Sequence, residues 1–194
     1  MSNEDSVIPN TSIGRVEADD VTVFYREAGP ANAQVVLLLH GFPTSSFQYR
    51  DLIPRLADRY RVIAPDYPGF GFTEVHEQRH YIYSFDALAN TVLAFTDALQ
   101  LKRYALYVFD YGAPVGFRLA MARPECITAI VSQNGNAYEE GLGPAWAPIR
   151  RYWSEPSLEN REAIRKVLNL DGMRREYAMG IAKPRGNCAG RLHA

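Results

Sequence analysis

Residues 104–122 read YALYVFDYGAPVGFRLAMA, and this stretch decides the fold. Tyr104 to Phe109 is an apolar run with strand character, Ala113 to Ala122 has helical character, and only Asp110, Tyr111 and Gly112 separate them. A residue at the end of a buried strand that is followed at once by a helix sits on a sharp turn, lifted above the sheet, with Gly112 permitting close approach of the helix. Asp110 holds that position, although Val108 stands where such an elbow usually has its first glycine. The plainer role of Asp110 is a helix cap, which aspartate also fills well.

Working outward, Val35 to His40 (VVLLLH) is a continuous apolar run between Gly29-Pro30 and Gly41-Phe42-Pro43, the pattern of a strand buried on both faces of a parallel sheet. Arg61 to Ala64 predicts the next strand, stopped by Pro65. Between them, Phe47, Ile53 and Leu56 fall loosely at helical spacing over Ser46 to Leu56, with Pro54 limiting or kinking that helix. Ser12 to Glu17 and Val21 to Glu27, joined by Asp19-Asp20, predict an antiparallel hairpin.

Ser84 is placed to cap a helix whose apolar face is Phe85, Leu88, Ala89, Val92, Phe95 and Leu99, and Ile127 to Ser132 returns to strand. Strands that alternate with helices in this way define an α/β protein with right-handed crossovers. After Gly135 the composition changes. Ala137 to Trp153 shows no clear period, Leu158 to Leu168 reads as one amphipathic helix, and Lys183 to Ala194 reads as a tail without a fold of its own.

The 194 residues suit one domain, and 47% hydrophobic, 12% aromatic and 22% charged residues match a globular chain able to bury a core. A net charge of -1 argues against nucleic acid or an anionic membrane as partner. Cys126 and Cys188 are too few for a disulfide framework or a zinc site, and with an acidic rather than apolar N-terminus the expected compartment is the cytoplasm. His76 and His80, four apart, lack a third metal ligand and read as a solvated pair, while His193 lies in the tail. No metal or other cofactor is expected.

Taken together, His40-Gly41-Phe42-Pro43, Asp66-Tyr67-Pro68-Gly69-Phe70-Gly71 and the Asp110 elbow resemble, in order and spacing, the α/β-hydrolase superfamily over roughly Val21 to Leu170. The similarity is to its aspartate-nucleophile branch, the epoxide hydrolases and haloalkane dehalogenases. It implies an α/β-hydrolase core over residues 1–136, the beginning of a helical lid over 137–182 and a divergent tail over 183–194.

The resemblance also implies roles. Asp110 is the nucleophile, needing no base to deprotonate it, and attacks an sp³ carbon of a small apolar organic substrate to form an ester that water then hydrolyses. The backbone N–H groups of Phe42 and Tyr111 form the oxyanion hole, shaped by Gly41 and Pro43, with simple apolar packing as the other role of those two rings. His40 supports the loop and is not the base. Tyr152, in the lid, is the candidate acid for epoxide opening, against the alternative of packing beside Trp153. Dehalogenases of this branch usually carry Asn at the Phe42 position and Trp at the Tyr111 position, so Phe42 and Tyr111 favour epoxide opening over halide release.

Two expectations concern what is missing. Gln133, Asn134, Gly135 and Asn136 occupy the place where some members carry the catalytic acid, and none is ionisable. The Gly-His segment that supplies the base is also absent, so the chain reads as C-terminally truncated and incomplete for turnover. A noncatalytic fragment or interaction module is the remaining alternative. Oligomeric state and substrate identity are not legible.

Overall fold

In the computed structural model the described residues are 10–167 and 169–178, and they divide into two compact units, one ending at Ala137 and one beginning at Tyr138. The predicted tail, with Cys188 and His193, lies outside the described residues.

The first unit is built on a seven-stranded sheet: β1 (Ser12–Ala18), β2 (Val21–Ala28), β3 (Val35–Leu39), β4 (Arg61–Pro65), β5 (Glu74–Val75), β6 (Tyr104–Phe109) and β7 (Ile127–Gln133). The spatial order is β1-β2-β4-β3-β6-β7, with the short β5 also on β2; β4, β3, β6 and β7 run parallel, and β2 pairs antiparallel with β1, β4 and β5. The hairpin turn is made by Asp19 and Asp20, both at positive φ (57° and 53°), the geometry that joins twisted strands with two residues.

The unbroken apolar run of β3 is explained by burial on both faces. Leu37 and Leu39 pack in one core with Val92, Phe95 and Leu119, whereas Leu38 packs in the other with Tyr49, Ile53 and Val62. The first core lies beneath α2 (Phe85–Ala98) and α3 (Gly112–Ala122), and the second beneath α1 (Ile53–Leu56). Ser84 caps α2 by accepting the Ala87 N–H at 3.1 Å, as its position in the sequence predicts.

The expected helix over Ser46 to Leu56 is instead a 3-10 turn, Ser46–Tyr49, followed by the four-residue α1. Pro54, which has no N–H to give, is accommodated in the first turn of α1. His76 and His80 do not share a helical face: they flank a 3-10 turn, Glu77–Arg79, and His76 Nε2 lies 3.2 Å from both Glu17 and Thr22. Strand β7 is exposed along nearly its whole length, with Ile130 43% and Val131 52% accessible.

The second unit contains α4 (Ala147–Ser154), α5 (Leu158–Val167) and α6 (Leu170–Ala178). The first part of this region gives no sequence period because two 3-10 turns, Glu139–Gly141 and Pro144–Trp146, precede a helix of only eight residues. Among the described residues, no helix is long and apolar enough to cross a membrane.

Candidate active site

Asp110 stands between the last residue of β6 and the start of α3, with φ 51°. A left-handed conformation is uncommon outside glycine but is best tolerated by Asn and Asp. Its own carbonyl accepts the Ala113 N–H at 2.9 Å and so begins the helix, while the side chain turns elsewhere. Close packing of α3 onto the sheet requires Gly112: a Cβ there would stand 2.1 Å from the Leu39 carbonyl oxygen.

The Asp110 carboxylate is held asymmetrically. Oδ1 accepts the Phe42 N–H at 2.8 Å and the Tyr111 N–H at 2.7 Å. Among the described residues Oδ2 accepts no hydrogen bond. The N-terminus of α3 adds partial positive charge beside the same group. One oxygen is therefore anchored by two fixed donors and the other is left available.

The loop after β3 is built to bring Phe42 N–H to this place. Gly41 leaves room for Asp110, because a Cβ on it would lie 2.7 Å from the Asp110 Cβ and 2.8 Å from Phe109 Cδ1. The Gly41 N–H is donated to Gln48 Oε1 at 3.3 Å, and the Phe42-Pro43 peptide bond is cis. His40 is fully buried; its Nδ1 lies 2.9 Å from the Gly41 carbonyl and its Nε2 accepts the Tyr67 N–H at 3.2 Å. That pair of contacts demands the neutral tautomer with the proton on Nδ1. Burial accordingly holds the His40 pKa below its ordinary value, against opposing pulls from the Gly41 carbonyl, Asp66 and Asp110. Both ring nitrogens are engaged, so His40 has none free to act as a base.

Asp66, which sequence reasoning assigned only to a motif, fastens two loops together. Its Oδ1 accepts the Ser46 N–H at 2.7 Å and its Oδ2 the Phe72 N–H at 2.9 Å, with the side chain 1% exposed. Gly71, at φ +55°, leaves no space for a side chain: a Cβ would fall 1.9 Å from Asp66 Oδ2.

Half-buried rings surround the elbow. Tyr111 has ring centroids 5.3 Å from Phe42, 4.9 Å from Phe85 and 6.3 Å from Phe70. Burial, then the Asp110 charge, raises the Tyr111 pKa and keeps its phenol protonated at neutral pH. At the end of β7, Gln133 accepts from the Tyr107 hydroxyl, and just past it Asn134 takes φ 49°; neither offers a carboxylate.

Tyr152 belongs to the second unit, on α4, in a surface depression with Leu158, Arg161, Glu162, Ile164 and Arg165. Trp153 packs against Trp146 at a tilt, centroids 6.0 Å apart. No group of three or more His, Cys, Asp or Glu side chains suited to a metal ion occurs among the described residues.

The sequence profile described as the alpha/beta hydrolase fold matches residues 34–179. An uncharacterized hydrolase of Saccharomyces cerevisiae is 56% identical over 136 residues, which cover 70% of this chain and 46% of that protein. Haloalkane dehalogenase 2 of Mycobacterium tuberculosis is 40% identical over 99 residues, 51% of this chain and 34% of that one. An epoxide hydrolase from Vigna radiata superposes with a TM-score of 0.62 at 30% identity, covering 75% of this chain and 44% of its own. The match thus spans less than half the length of each of these relatives.

Proposed function

The chain belongs to the alpha/beta hydrolase fold family, and from that premise we propose that it carries the nucleophile half of an epoxide hydrolase-like site, in which Asp110 opens an epoxide through an ester. The observation that carries the reading is the asymmetry of the carboxylate, Oδ1 on two backbone N–H groups and Oδ2 without a partner. Oδ2 attacks a ring carbon, the C–O bond breaks, and its electron pair goes to the ring oxygen, which takes a proton from a donor. Tyr152 is proposed as that donor, residues 1–136 as the core and 137–182 as the beginning of a lid. Water then attacks Cγ, the negative charge develops on Oδ1 facing Phe42 and Tyr111, and collapse releases a diol.

Hydrolysis needs a base to take the proton of that water. His40 is committed to Gly41 and Tyr67, and His76 to Glu17 and Thr22. Release of halide from a haloalkane uses the same first step, and the 40% identity to a dehalogenase supports it; Phe42 and Tyr111, in place of Asn and Trp, favour the epoxide. Both reactions are tested by incubating the chain with an epoxide or a haloalkane and following intact mass. An epoxide adduct that disappears in Asp110→Asn supports the proposal, an adduct from the haloalkane alone favours the second reading, and no adduct from either favours a noncatalytic module.

A further inference from the structure

On the outer face of the hairpin, cations and rings alternate in one continuous ladder. Arg15 lies over Phe24 at 5.6 Å, Arg26 over Phe24 at 5.4 Å and over Phe47 at 5.5 Å, and Arg50 over Phe47 at 4.6 Å. The two end arginines each have a carboxylate at 3.7 Å, Glu74 for Arg15 and Asp51 for Arg50. Arg26, in the middle, forms no ion pair among the described residues. Its Nε–H is donated to Ser46 Oγ at 3.2 Å, and its two terminal nitrogens, four N–H groups in one plane, find no acceptor there.

A guanidinium whose carbon lies 5.4 Å and 5.5 Å over two ring centroids keeps its terminal N–H groups for an anion, and their fork matches the paired oxygens of a carboxylate or phosphate. The surroundings are apolar and open on one side, with Phe24 and Ser46 buried beneath. Phe47 is 42% exposed, Phe72, 5.2 Å from Phe24, is 56% exposed, and Ile13, directly across the hairpin from Arg26, is 64% exposed. The ladder is also fixed in place, because Ser46 and Phe72 both donate their N–H groups to buried Asp66.

We infer that Arg26 heads a binding site for an amphiphilic anion, a carboxylate or phosphate ester whose apolar chain lies over Phe47 and Phe72. The inference is independent of the role of Asp110.

Calorimetric titration of the 194-residue chain with sodium decanoate below its micelle concentration, with inorganic phosphate and with phosphatidylserine vesicles tests it. Decanoate should bind, and more tightly than phosphate, which lacks a chain. Arg26→Gln should weaken decanoate by about tenfold or more, since hydrogen bonds to charged groups are worth about that much, and Arg26→Lys should recover only part. Phe47→Ala, at the exposed end, should lower decanoate affinity and leave phosphate unchanged, which keeps the test decisive if Arg26→Gln does not fold. Binding of decanoate identifies a free amphiphile, and binding of vesicles alone identifies a lipid headgroup. No binding of any probe, or decanoate affinity unchanged in Phe47→Ala and in folded Arg26 variants, overturns the inference.

Discussion

Gly41 and Asp110 are packed so closely that a single added carbon on Gly41 would meet the Asp110 Cβ at 2.7 Å and its Oδ1 at 3.0 Å. The two residues are 69 positions apart in sequence, and the contact joins the loop that supplies a donor to the turn that supplies the carboxylate.

Gly41→Ala should therefore push the carboxylate away from the Phe42 N–H. Displacing the attacking group by about 1 Å typically costs ~10² in rate, whereas overpacking costs ~1–3 kcal/mol of stability. The expected result is a folded chain by circular dichroism whose adduct formation with an epoxide is slowed by that factor. An unchanged rate would show that the Phe42 contact is dispensable.

Gly71→Ala tests the anchor at Asp66. The new methyl would require a left-handed alanine, at ~1–2 kcal/mol, and would strike Asp66 Oδ2 as well. A loss of at least ~2 kcal/mol in denaturant unfolding is expected, larger than for alanine at Gly143, whose Cβ position is open.

The buried neutral His40 makes stability depend on pH. Its pKa is depressed in the folded chain, so below the unfolded value of about 6.5 the unfolded state binds a proton that the native state does not. Stability is fully present above that pH and falls as pH drops from about 7 toward 5.5, with a slope of at most ~1.4 kcal/mol per pH unit from this group. Denaturation midpoints measured across that window should show the decline, and His40→Gln should flatten it.

Adduct and product should separate in the 194-residue chain. Asp110 needs no deprotonation to react, but among the described histidines His40 and His76 are engaged elsewhere and His80 lies at the end of the 3-10 turn Glu77–Arg79, so a stoichiometric mass increase without diol release is expected. Sustained diol formation would contradict this. In a relative that turns over, Tyr→Phe at the position of Tyr152 should slow ring opening by ~10²–10⁴ if that phenol is the acid.

Strand β7 should promote self-association. Ile130 and Val131 are adjacent and point to opposite faces, yet both are about half exposed, so among the described residues the strand presents apolar side chains on each side of the sheet edge. Sedimentation velocity should show concentration-dependent association that Val131→Lys reduces.

The parts of this fold legible in sequence are those with a period or a punctuation mark. The run VVLLL of β3, the cap at Ser84 and the strand-turn-helix around Asp110 each carry a local signal. The interruption of residues 46–56 into two short turns was harder to see, because Pro54 permits either a kink or a start. Within the site, the two backbone donors leave no mark on residue type, so Phe42 and Tyr111 were identifiable only through resemblance. Gln48 and Arg26 carry no sequence signal, and Asp66 only its place in a motif, because their contacts join separate loops and strands at no regular spacing.

The left-handed backbone at Asp110 has a consequence for how this turn tolerates change. The socket selects first for a residue that can sit at φ 51° and only second for its reactive group. Asn or Gly could hold that backbone angle, whereas a β-branched replacement would deform the joint between β6 and α3. The bend sets which residues the joint between β6 and α3 accepts, and the carboxylate is one of the few side chains it admits.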